Sequence, residues 1–98
     1  MITLYVHLKI RDFNAFEQFE REAVKIMYKY RGRIVHAFEI IRNADNSGEE
    51  IHILEFPNSE AFSAYRADHS LAALSTLRNR AISATEIKSS IRLKSYED

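Results

Sequence analysis

The chain opens on strict alternation. Ile2, Leu4, Val6, Leu8 and Ile10 fall on one face of an extended segment; Thr3, Tyr5, His7 and Lys9 fall on the other. Strand side chains point to opposite faces with a period of two, so residues 2–10 predict a strand with one buried face. The period then lengthens. Phe13, Phe16, Phe19, Ala23, Ile26, Met27 and Tyr30 recur at helical spacing, with Glu17, Glu20, Arg21, Glu22 and Lys25 between them. That is an amphipathic helix. Asp12 is placed to cap its start, Gly32 to end it as the C′ residue, and Lys29 and Arg31 to complement its dipole.

Arg33 to Arg42 predicts a second strand, apolar on both faces. The run Asn43-Ala44-Asp45-Asn46-Ser47-Gly48 is the richest in turn formers and predicts a hairpin loop. Glu50 to Phe56 predicts a third strand, which Pro57 ends because proline has no N–H for the ladder. Asn58 or Ser59 then caps a helix through Ala61, Phe62 and Tyr65. Asp68-His69-Ser70 interrupts it and caps a continuation through Leu71, Leu74, Leu77, Ala81 and Ile82. A last strand is expected from Glu86 to Tyr96, with Ile87, Ile91 and Leu93 in phase.

The order strand, helix, strand, strand, helix, strand predicts an α+β chain in one domain, residues 1–98. Right-handed crossovers turn that order into a ferredoxin-like βαββαβ sandwich, a four-stranded antiparallel sheet with its helices on one face. The other sheet face is then bare. It carries Thr3, Tyr5, His7 and Lys9 on the first strand. On strands two and three large aliphatic side chains reach it whichever way they face. An apolar patch of several hundred Å² is unusual on a soluble monomer, so the open face is expected to pair with a second copy and form a dimeric α/β barrel.

Composition narrows the possible chemistry. Lys plus Arg and Asp plus Glu both number 14, so the formal charge is zero. A nucleic-acid binder normally carries a basic excess, so none is expected as a partner, and neutrality does little to keep copies apart. With no cysteine, there is no disulfide, thiolate metal site or thiol nucleophile, and no paired thiols for a metal chaperone. No apolar run approaches a membrane span, and no signal-peptide pattern precedes Ile2; a soluble cytoplasmic protein is expected. Glu50 to Phe56 lacks the aromatic, basic pattern of an RNA-recognition strand. Arg11-Asp12-Phe13 offers no glycine for a phosphate-cradling loop.

Several residues could carry a site. His7, beside Tyr5 on the bare face, could act as a general base or a hydrogen-bond donor, or be a polar residue at an interface edge. Glu55 shares a face with Ile51 and Ile53. It could be a carboxylate among aliphatics, its pKa raised by burial, or the partner of an Arg or Lys on the neighbouring strand. Tyr65 suits a core ring with its hydroxyl at a pocket mouth. His69 could serve a site or cap the helix break with Asp68. His7, His36 and His52 tempt a zinc reading, but no His-x-His pair, i,i+4 pair or nearby carboxylate supports one; no metal is expected. Phe13, Phe16 and Phe19 are core at helical spacing, and Arg78 and Arg80 belong to a solvated face.

The stretch Ile51-His52-Ile53-Leu54-Glu55-Phe56-Pro57-Asn58-Ser59-Glu60-Ala61-Phe62 resembles the third strand and second-helix start of dimeric α/β-barrel proteins. That superfamily includes the antibiotic-biosynthesis-monooxygenase group and several families of no known function. The resemblance implies a small, flat organic molecule held between sheet and helices. It also implies chemistry without metal or flavin, so no cofactor is expected. The haem-degrading branch is similar in having an aromatic and a His on the second helix, where Tyr65 and His69 fall, but it has Asn where this chain has His7, which speaks against haem. The resulting expectation is a cofactor-free oxygenase-like, isomerase-like or lyase-like enzyme for an aromatic or polyketide-like compound. His7 and His69 would be catalytic, and Tyr5, Glu55 and Tyr65 would contact the ligand. The competing expectation is a non-catalytic ligand-binding or stress-related dimeric module, because no complete catalytic constellation is present.

Overall fold

The alternating first segment forms β1 (Ile2–Ile10), a central strand. The computed structural model describes residues 1–97. In it β1 pairs antiparallel with β3 (Gly48–Phe56) on one side and β4 (Ile82–Ser89) on the other, and β2 (Arg33–Arg42) pairs with β3 at the edge. The order is β2-β3-β1-β4. Leu4, Val6, Leu8 and Ile10 are buried with Leu54 and Phe56 of β3. They pack under α1 (Phe13–Tyr28), whose Phe13, Phe16, Phe19, Ala23, Ile26 and Met27 form the facing stripe. Asp12 caps α1 as expected, accepting from the Asn14 N–H at 3.2 Å.

Past Pro57 the helical layer is broken into three pieces: α2 (Ser59–Arg66), α3 (His69–Ala72) and α4 (Ser75–Ala81). Asn58 caps α2 through the Ala61 N–H at 2.8 Å. Asp68 caps α3 through the Ser70 and Leu71 N–H groups. α4 starts at Leu74 with no side-chain cap. Tyr30, just past α1, donates its hydroxyl to Asp68 Oδ2 at 2.5 Å and fixes the α2–α3 corner. That contact raises the Tyr30 phenol pKa and lowers that of the Asp68 carboxyl.

Three sequence expectations are corrected. The third strand begins at Gly48, not Glu50, because Gly48 pairs with both Ile10 and Arg42. The last strand runs over Ile82–Ser89, not Glu86–Tyr96. The ladder between β1 and β4 stops where Leu4 meets Ser89, followed by one further hydrogen bond from the Ser90 N–H to the Thr3 carbonyl at 2.9 Å. Ile91, Leu93 and Tyr96 consequently lie exposed beyond it. Gly32 is not the left-handed residue after α1. Arg31 is, with φ 59°, and Gly32 instead makes room for the Phe56 ring and Met27. A left-handed backbone costs a residue with a Cβ roughly 1–2 kcal/mol. Arg31→Gly should therefore stabilise the fold by up to about 1 kcal/mol after the gain in unfolded-chain freedom is offset. The check is a higher urea midpoint at unchanged slope.

Candidate functional site

Paired residues of an antiparallel ladder share a face, so the register sorts every candidate. His7 pairs with Ile51 and Glu86, Tyr5 with Ile53 and Lys88, and Glu55 with Thr3 and Arg33. Tyr5, His7 and Glu55 therefore all lie on the open face, away from the helices. Two of them are already engaged. His7 Nε2 is 2.5 Å from Glu49 Oε1, and Arg33 Nη2 donates to Glu55 Oε1 at 3.0 Å. The Glu55 carboxylate thus has the cross-strand cation considered as its alternative role. Around these pairs stand Phe38, Ile41, Ile51 and Ile53.

Tyr65 and His69 are on the opposite side of the sheet. His69 opens α3 and is exposed. Tyr65 is 9% exposed and packs its ring on Phe56 and Tyr30. The five expected site residues do not converge on one pocket. Of the three histidines considered for zinc, His52 faces the helices while His7 and His36 lie on the open face.

Tyr65 lines a cleft of about 440 Å³ between the helical layer and the sheet. Its floor is Val6, Leu8, Leu54, Ile82 and Ile87; its walls are Phe19, Phe62 and Leu71. Polar groups enter from Tyr65, Ser75, Arg66 and Arg78. This is the composition of a small-molecule site: apolar surface for contact area, a few polar groups for orientation. The break between α2 and α4 opens the layer here. A continuous helix would lay one unbroken apolar stripe along the sheet, whereas the capped turn at Asp68 swings α3 and α4 aside.

Behind the cleft is a buried polar group that sequence reasoning did not assemble. His52, 4% exposed, has Nε2 2.8 Å from Glu50 Oε1 and Nδ1 3.9 Å from Glu20 Oε2. Burial raises the Glu20 carboxyl above its ordinary pKa; His52 opposes this, Glu50 adds to it, and Arg78 opposes it. Burial also pushes the Tyr65 phenol up, helped by the Glu20 charge and opposed by Arg78. Tyr65 is therefore a neutral hydrogen-bond donor throughout the physiological range. The signals for this group were present. Glu20 falls on the stripe Phe16, Glu20, Ala23, Met27, and Glu50 and His52 are in phase with Leu54 and Phe56. Arg78, expected on a solvated face, is exposed, yet its Nη2 donates to Thr85 Oγ1 at 3.0 Å along the cleft wall.

The fold recurs among solved structures. A protein of unknown function from Rhodopseudomonas palustris superposes with a TM-score of 0.76 at 16% identity, over 96% of this chain and 84% of that one. An uncharacterised NIPSNAP domain protein from Burkholderia xenovorans gives 0.70 at 13% identity, over 100% of each chain. SnoaB, a cofactor-independent oxygenase from Streptomyces nogalater, gives 0.68 at 15% identity, over 99% of this chain and 97% of that one. At these identities the likeness is one of fold, and it places the chain among ferredoxin-like α+β proteins. No curated protein matches the sequence. The model of the family described as a domain of unknown function, DUF1330, matches residues 4–88. The chain belongs to that family.

Proposed function

We propose that this DUF1330 member binds a small, largely apolar, planar organic molecule in the cleft between α2–α4 and the sheet, as the site of a cofactor-free enzyme. The cleft itself carries the proposal: about 440 Å³ of mainly aliphatic and aromatic lining, with a neutral phenol donor at Tyr65. Tyr65 donates to a carbonyl or phenolic oxygen of the ligand. The Glu20 carboxylate, its pKa raised by burial and with His52 Nδ1 3.9 Å away, is the proton-accepting group of an oxygenase-like or isomerase-like reaction. SnoaB, similar in fold and described as a cofactor-independent oxygenase, supports this class. A non-catalytic ligand-binding module is the second reading. It is favoured by the contacts that already occupy His7 and Glu55 and by the exposure of His69.

The second part of the proposal is a homodimer through the open face. That face carries exposed Phe38, Ile40 and Ile41 together with acids and bases in pairs, Arg33 with Glu55 and Lys88 with Glu86. Mixed charge around an apolar centre is self-complementary, as a two-fold interface requires. Pairing on this face leaves the cleft open on the other side.

The neutral probe 1-naphthol tests the cleft. It should bind saturably, one per chain, with Kd in the micromolar range, about −8 kcal/mol or weaker. Ala72→Trp fills the cleft from an exposed helical position and should weaken it at least about tenfold, which is 1.4 kcal/mol. Equal binding by Ala72→Trp would place the ligand elsewhere. Once a turned-over substrate is in hand, Tyr65→Phe should lower turnover more than affinity; equal turnover would remove Tyr65 from the reaction.

A further inference from the structure

The cleft does not end at its apolar walls. Arg66, Arg78, Ile82 and Ile87 also border a second hollow of about 430 Å³, which continues between α4 and β4. Its character is different. Arg11 joins Arg66 and Arg78, and Asn79, Ser83 and Thr85 supply amide and hydroxyl groups. Among the described residues no carboxylate lines it. Among the described residues none of these three guanidinium groups is in a salt bridge, whereas Arg33 has one and Arg42 has two. The Glu20 carboxyl feels the charge of Arg78 without forming a salt bridge with it.

Each arginine is held from a different element. The Arg11 N–H donates to the Ala81 carbonyl at 2.8 Å, which ties the β1–α1 turn to the end of α4. Arg66 lies over the Phe62 ring, 5.5 Å from its centroid. Arg78 is steered by Thr85. The chain as a whole is neutral, so three unpaired guanidinium groups around one hollow are a local concentration of positive charge. Guanidinium forks match the oxygens of carboxylate and phosphate, and such charge-assisted bonds are roughly twice as strong as neutral ones.

We infer that the hollow is an anion subsite of the same binding site, and that the ligand is an amphiphilic organic phosphate: an apolar, planar body in the first cleft and a phosphate ester among Arg11, Arg66 and Arg78. This rests on the cleft being the ligand site and adds the class of ligand. Phosphate is favoured over a single carboxylate because a dianion can engage guanidinium groups from three directions, while one carboxylate presents a single edge.

The test compares 1-naphthyl phosphate with 1-naphthol. The phosphate should bind at least about tenfold more tightly at low salt, and the gain should shrink as ionic strength rises. Arg11→Gln, which touches only the polar hollow, should remove most of that gain and leave 1-naphthol binding unchanged. Lys9→Gln, on the opposite face of the sheet, should change neither. If naphthol binds in the cleft but its phosphate binds no more tightly, the anion subsite is wrong and the cleft stands. If neither binds, the cleft reading fails as well. An equal loss with Lys9→Gln would reduce the effect to general electrostatics and overturn the subsite.

Discussion

Ile53→Asp is expected to convert a dimer into a folded monomer. Ile53 sits mid-way along β3 on the open face, between Tyr5 of β1 and His36 of β2. In the isolated chain the side chain is only half-buried, so a carboxylate there reaches water and the monomer fold is little disturbed. In a two-fold pairing of open faces, each Asp would be buried against the other copy. Leaving an uncompensated buried charge costs about 3–5 kcal/mol, and symmetry imposes it twice. The dimer Kd should therefore rise by at least about a thousandfold. Native mass spectrometry at micromolar concentration reads the result. Wild type should be a dimer and Ile53→Asp a folded monomer, whose melting temperature is lower only by what the lost pairing contributes and, unlike that of the wild type, does not depend on protein concentration. A wild-type monomer, or a variant still dimeric, would overturn the pairing.

The same face explains where sequence reading succeeded and where it stopped. The strict alternation of β1 identified the two sheet faces, since a strand with one apolar side has a single stable orientation. The βαββαβ order was legible for the same reason: each change of period marked a change of element. β2 and β3, apolar on both faces, carried no such phase, and only the pairing of Phe38 with Ile51 and of Leu54 with Leu4 shows which side chains meet the helices. The end of β4 was illegible because Ile91 and Leu93 keep the phase of the strand after its ladder with β1 has stopped at Leu4 and Ser89. The candidate site was legible residue by residue and not as a set. Tyr5 and His7 fall on the open face that the alternation of β1 indicates, Glu55 joins them only through the register of β3, and the sheet separates all three from Tyr65. Glu20 was read as one of the polar positions of α1 and His52 only as a possible zinc ligand; their proximity is a property of how α1 crosses β3.

Gly48→Ala should be the most damaging small substitution in the fold. Gly48 is extended, not left-handed, so backbone freedom does not explain it. A Cβ at this position would drive into the backbone carbonyl of Ile41 and lie 2.8 Å from Phe13 Cε2. Neither obstacle can yield. The Ile41 carbonyl is fixed by the β2–β3 ladder next to a bulge. The Phe13 ring is fully buried, with the Arg42 guanidinium 3.7 Å from its centroid. Gly32→Ala makes the informative comparison. There the Cβ meets the fully buried Phe56 ring first and then the Met27 side chain; both are side chains, which can shift where a backbone carbonyl in a ladder cannot. Overpacking a core costs about 1–3 kcal/mol when neighbours shift and more when they do not. The expected order is thus about 1–2 kcal/mol for Gly32→Ala and 3 kcal/mol or more for Gly48→Ala. In a domain of this size the second value lowers the melting temperature by roughly 12 °C or more. Denaturant unfolding of both variants decides the matter: equal losses would mean that the β2–β3 hairpin flexes at Ile41. Hydrogen exchange would then show its ladder amides less protected than those of β1, the strand on which both the cleft and the open face depend.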